Sequence, residues 1–127
     1  MDFKIKTSEK NREIISTITS KLNLGAENVI ARLAFAYSIG NVKSLSLAKI
    51  DDSKGKEYSS KVLFGDNLHY YIAIISNKYK IHKSNKDIPK YVKLHIDDGL
   101  DKIHGMTNKK GLDFLFDSIF EGLEKIK

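Results

Sequence analysis

Residues 28–38, Asn-Val-Ile-Ala-Arg-Leu-Ala-Phe-Ala-Tyr-Ser, constrain this chain more than any other stretch. The run is alanine-rich and has neither glycine nor proline, so it reads as helix. At about 100° per residue, Val29, Ile30, Leu33, Ala36 and Tyr37 share one face. Ala31, Phe35 and Ile39 fall roughly opposite, and Arg32 is the one charge between them. A helix apolar nearly all round must be covered on both sides. Either the chain supplies both covers or a second subunit supplies one. The expectation is an oligomer, with Ala31, Phe35 and Ile39 as its interface.

The chain has 127 residues, enough for one domain with its own core, so residues 1–127 are read as a single unit. No run of 18 apolar residues occurs, so no membrane span is expected. The N-terminus lacks the apolar core of a signal peptide. Together with the absence of cysteine, this points to a cytoplasmic protein without disulfides, thiolate metal sites or Cys nucleophiles. The formal net charge of +6 favours a polyanionic partner such as nucleic acid.

Residues 3–7, Phe-Lys-Ile-Lys-Thr, alternate apolar and basic, which predicts a short strand exposing Lys4 and Lys6. Ser8 is placed to cap a helix beginning at Glu9, with Ile14, Ile15, Ile18 and Leu22 inward and Lys10, Arg12 and Lys21 off that stripe. Gly25 suits a left-handed cap. The central helix follows over about 26–39, with Gly40 as its stop. Strand, helix, helix is the ribbon-helix-helix order, in which two chains pair their N-terminal strands and strand side chains enter a DNA groove. The competing reading of Lys4 and Lys6 is an edge strand kept soluble by lysine.

Three further helices are expected, giving a mainly α fold. Residues 51–56 read as a solvated loop and 57–65 as extended. Asp66 is placed to cap a helix carrying Leu68, Tyr71, Ile72, Ile75 and Tyr79. Residues 78–93 are the most basic stretch, with Lys78, Lys80, Lys83, Lys86, Lys90 and Lys93. Phosphate contact and a solvated loop are the alternatives there. Pro89 suits the first turn of the next helix, with Val92, Ile96, Leu100 and Ile103 inward. Thr107 is placed to cap a last helix with Leu112, Leu115, Phe116, Ile119, Phe120, Leu123 and Ile126 as its stripe.

His95, Asp98, Asp101 and His104 lie at three-residue spacings on one helix, but the order is not His-Glu-x-x-His, so no metal site is expected. The chain has no glycine-rich phosphate loop and no nucleophile elbow, and no sequence spacing pairs Ser with His and Asp. An enzyme is therefore not expected, and neither is a cofactor.

Three segments read together carry a resemblance. They are Phe3-Lys4-Ile5-Lys6-Thr7-Ser8, residues 28–38, and His95-Ile96-Asp97-Asp98-Gly99-Leu100, with Leu63-Phe64-Gly65-Asp66 between. Over residues 3 to about 104 the chain resembles the DndE family, the small subunit of the bacterial DNA phosphorothioation system. The residues after His104 depart from the family pattern. The resemblance implies a helical, ribbon-helix-helix-like tetramer that binds DNA, with nicked duplex the favoured form. It also implies partnership with the sulfur-inserting subunits DndC and DndD. The modification replaces a non-bridging phosphate oxygen by sulfur. A chain without cysteine cannot carry sulfur as a thiolate or hold an iron–sulfur cluster through cysteines. The expectation is a non-catalytic scaffold holding DNA through Lys4, Lys6, Lys10, Arg12, Lys21, Lys83, Lys86 and Lys90. The alternatives are a ribbon-helix-helix repressor and a pure assembly subunit.

Overall fold

The computed structural model describes residues 3–109, apart from 22, 24 and 43. The stripe expected between Leu112 and Ile126 lies outside the described residues. Strand β1 (Lys4–Lys6) leads into helices α1 (Glu9–Lys21) and α2 (Glu27–Asn41). A loop with a 3-10 turn at Leu47–Lys49 runs to strand β2 (Glu57–Ser59) and the short helix α3 (Ser60–Phe64). A second 3-10 turn at Gly65–Asn67 opens α4 (Leu68–Tyr79), and α5 (Ile88–Lys109) follows. Among the described residues no helix is long and apolar enough to cross a membrane.

The fold is mainly helical, with one small antiparallel sheet. β1 pairs with β2 in the register Lys4↔Ser59, Ile5↔Tyr58, Lys6↔Glu57. The ribbon is thus completed inside one chain, where the ribbon-helix-helix order predicted pairing with a second chain's β1. Alternation holds on β1: Lys4 and Lys6 face outward and Ile5 is buried.

The central helix is α2, and both its faces are covered. Ala31 and Phe35 are fully buried and Ile39 nearly so, within a single chain. The expectation that these three form an inter-subunit face is corrected. Their cover is α5, which crosses α2 so closely that a Cβ on Gly99 would lie 2.0 Å from the Ala34 carbonyl oxygen. Beside α5, aromatic rings close the same face around Phe35. Phe35 meets Phe64 edge-on at 5.2 Å and Tyr71 at 5.6 Å, and Phe64 stacks on Tyr71 at 4.3 Å. Such pairs contribute beyond their buried area.

Several local expectations are revised. α2 continues through Gly40, because a helix pinned along both faces tolerates one glycine. Residues 60–64 are helical, since Ser59 accepts a hydrogen bond from the Val62 amide and caps α3. Asp66 lies inside the 3-10 turn and does not cap α4. α5 runs through Thr107 to Lys109 without restarting there. Gly25 takes the left-handed conformation expected of it, at φ +82.

Candidate nucleic-acid interface

The described structure holds two buried polar clusters and one basic surface. The first cluster closes the N-terminus of α1. Ser8 does not cap it, because its hydroxyl donates away to Asp97. Asp97 Oδ1 also accepts from the Ser8 amide at 3.1 Å and from Asn11 Nδ2 at 2.7 Å. Its other oxygen takes a 2.8 Å bond from Lys93 Nζ, which also donates to the Asp52 carbonyl. The Asp52 side chain accepts from the Glu9 and Lys54 amides, and these bonds lower its pKa. The loop at 51–56 is exposed as expected, apart from Gly55, and through Asp52 it also caps α1. Lys93, counted in the basic stretch, is 5% exposed and unavailable to phosphate.

The second cluster joins α2, α4 and α5. Ser38 Oγ lies 2.8 Å from His95 Nδ1 and donates to Asp98 Oδ2 at 2.6 Å. Tyr79 OH lies 2.6 Å from His95 Nε2 and accepts from the Leu45 amide. One hydroxyl proton per residue fixes the directions. Tyr79 donates to Nε2, His95 donates through Nδ1–H to Ser38, and Ser38 donates to Asp98. Lys102 pairs with Asp98 at 3.1 Å. Serine, histidine and aspartate thus meet, as no sequence spacing indicated. The histidine contacts no carboxylate and Ser38 is fully buried, so the arrangement is not a catalytic triad. Burial, followed by the Lys78 charge, pushes His95 down to about 3, leaving it neutral. Both its ring nitrogens are engaged within the chain, so it offers no metal ligand. Among the described residues no group of three metal-binding side chains occurs.

The expected DNA-contacting residues divide by partner. Lys4 pairs with Glu57 at 3.9 Å, Lys10 with Asp51 at 3.3 Å and Asp101 at 3.2 Å, and Lys90 with Asp87 at 3.4 Å. Arg12 reaches the Lys54 and Gly55 carbonyls. Lys6, Lys21, Lys83 and Lys86 are exposed and make no ion pair among the described residues. Lys10 and Lys21 sit near opposite ends of α1, roughly 16 Å apart at its rise per residue. The basic stretch splits likewise. Lys78 is half-buried, donates to the Val42 carbonyl, and burial lowers its pKa. Lys80, Lys83 and Lys86 remain outside on the turn between α4 and α5.

Sequence reasoning missed the shape of that turn. Lys80 ends α4 in the left-handed conformation, φ 56 and ψ 45. The chain then folds back along α4 and encloses a groove of about 1060 Å³ lined by His69, Ile72, Ala73, Lys80, His82 and Lys83, among others. The available signal was the spacing 69, 73, 76, 80 along one flank of α4.

Together these features define a small, basic, mainly helical protein whose buried polar groups are structural and whose unpaired lysines are external. The profile of the DndE family, described as DNA sulphur modification protein DndE, matches residues 4–111, and the chain belongs to that family. The match extends past His104, where the resemblance stops. Among solved structures, the crystal structure of DndE from Escherichia coli B7A, involved in DNA phosphorothioation modification, aligns with a TM-score of 0.63 and 19% identity. The alignment covers 77% of this chain and 93% of that one, and at this identity it bears on the fold alone. No curated protein matches the sequence.

Two of the three segments carrying the resemblance, residues 28–38 and 95–100, prove to be packing partners. Ala34 and Ser38 of α2 meet Gly99, His95 and Asp98 of α5.

Proposed function

We propose that this chain is the non-catalytic DNA-binding subunit of a DNA phosphorothioation system. It holds duplex DNA, nicked duplex preferentially, for DndC-like and DndD-like sulfur-inserting subunits, and it works as a homotetramer in the cytoplasm. The observation that carries the reading is the α4–α5 turn. Lys80, Lys83 and Lys86 are exposed there and have no carboxylate partner among the described residues. Unpaired lysines on a chain of net charge +6 are the elements of a phosphate-contacting surface. Family membership supplies the DNA-modification context. The buried, neutral His95 beside Ser38 supports a subunit without its own chemistry. Preference for a nick arises from cheap bending, with no base contact required.

The repressor reading is less well supported. β1 is paired within the chain, and outward Lys4 and Lys6 read bases less well than Arg, Asn or Gln. The test is a titration of purified protein against nicked, intact and single-stranded DNA of several sequences. Binding independent of sequence and tightest to nicked duplex supports the proposal. Failure to bind any duplex overturns it.

A further inference from the structure

The groove beside α4 has two kinds of surface. Its floor is apolar, made by Ile72 and Ala73 of α4 and by Ile81 from the returning turn. Its rim carries Lys80 and Lys83, and two imidazoles, His69 and His82, flank it. His82 Nδ1 is held by Ser84, which fixes that ring beside the groove. A volume of about 1060 Å³ is just above the ~300–1,000 Å³ typical of small-ligand sites.

Duplex DNA presents phosphates outward and keeps its bases stacked, so a duplex could use the rim but not the floor. An unpaired nucleotide uses both: its base lies on apolar or imidazole surface and its phosphate meets lysine. The conformation of Lys80 bears on this. Glycine closes a helix in the left-handed region more cheaply than any residue with a Cβ. Lysine at that position sets an ammonium on the groove at the expense of local stability.

The geometry points to this groove as a binding site for an unpaired nucleotide of a DNA strand, with the base on Ile72, Ala73 and Ile81 and the phosphate on Lys80 and Lys83. The inference rests on the DNA-binding reading above and adds a strand-separated ligand to it. Unpaired nucleotides occur wherever a duplex frays or a base is extruded.

The test uses the full chain, a labelled eight-residue oligothymidylate and an intact hairpin duplex. Lys80→Gly is the main variant, because it relieves the left-handed strain while removing the charge. The expected result is an unchanged or raised Tm and at least a tenfold loss of oligothymidylate affinity, several times larger than the loss on the duplex, where Lys80 is one phosphate contact among several. As a second measurement, a 4-thiothymidine probe should cross-link wild-type protein within residues 69–84. Equal losses on both probes would make Lys80 a general phosphate contact and overturn the inference. So would unchanged oligothymidylate affinity, or cross-links elsewhere in the chain. Each of those results leaves the DNA-binding proposal standing, whereas wild-type protein that ignores the duplex would remove that proposal itself.

Discussion

Gly99 of α5 lies against the backbone of Ala34 in α2, with room for a hydrogen and nothing larger. This contact sets how closely the two main core helices approach. A methyl group there would meet backbone, which cannot rotate aside as a side chain could. Overpacking of this kind costs about 1–3 kcal/mol or more. Gly99→Ala should therefore lower the unfolding free energy by that amount, read as a lower urea midpoint, although alanine favours helix. An unchanged midpoint would mean the helices separate freely.

Asp97 is expected to be the least replaceable carboxylate in the described structure. Asp97→Ala strands the Lys93 ammonium and leaves two Ser8 donors and Asn11 Nδ2 unmatched. Breaking a buried ion pair from one side costs roughly 3–5 kcal/mol. Lys93→Met combined with Asp97→Leu should recover part of that loss, because the pair carries its own desolvation penalty. A double-mutant cycle by chemical denaturation measures both. Additive losses would show that the two residues are not coupled.

Acid should weaken the fold through His95 before carboxylates titrate. Burial lowers its pKa from 6.5 to about 3, so between those values the unfolded chain binds a proton that the folded chain refuses. The associated stability is complete above pH 6.5 and is lost as pH falls toward 3. Between pH 7.5 and 5 the loss should be about 2 kcal/mol. His95→Gln should be less stable at pH 7.5 but should lack this part of the slope. Denaturation curves at both pH values decide it, and identical slopes would place His95 in contact with solvent.

These predictions fall where the sequence was partly legible. The double-sided apolar character of residues 28–38 correctly demanded two covers, and the periodicity of 92, 96, 100 and 103 correctly placed a helix with an inward face. What pattern could not supply was which element covers which. Gly99 looks like a weak spot in a helix until Ala34 is opposite it. Ser8 has the position of a cap, yet its partner Asp97 is 89 residues away. Lys93 and Lys83 are the same residue type in one basic run, but only the first faces a buried carboxylate. Charge density reports neither helix phase nor partner, so the candidate surface needed coordinates to separate structural lysines from free ones.

Phe35→Glu should unfold the chain outright, because the ring is enclosed by Phe64, Tyr71 and His95. That variant is no probe of assembly. Val62 and Tyr70 are 61% and 54% exposed, and they are the better probes of the proposed tetramer. Val62→Asp with Tyr70→Asp should lower the sedimenting mass while leaving the helical circular dichroism unchanged. Full retention of mass would move the contact to another surface.

Salt dependence tests how DNA is held. Each phosphate neutralised by lysine releases counterion, so the logarithm of affinity should fall with the logarithm of salt at a slope of roughly −0.9 per contact. Lysines already paired within the chain gain less from phosphate, since they must first leave a carboxylate. Lys83 and Lys86 have no such partner among the described residues, whereas Lys4, Lys10 and Lys90 do. Lys83→Ala with Lys86→Ala should therefore flatten the slope by about two units for each subunit engaged. Lys4→Ala with Lys10→Ala should change it less, and the freed acids Glu57, Asp51 and Asp101 would repel the backbone at every salt concentration. The Lys83 and Lys86 losses should lower affinity equally for all sequences, because phosphate contacts carry no base information. A salt-insensitive affinity, or a lysine loss that changes which sequence is bound, would refute phosphate contact and return the repressor reading to first place.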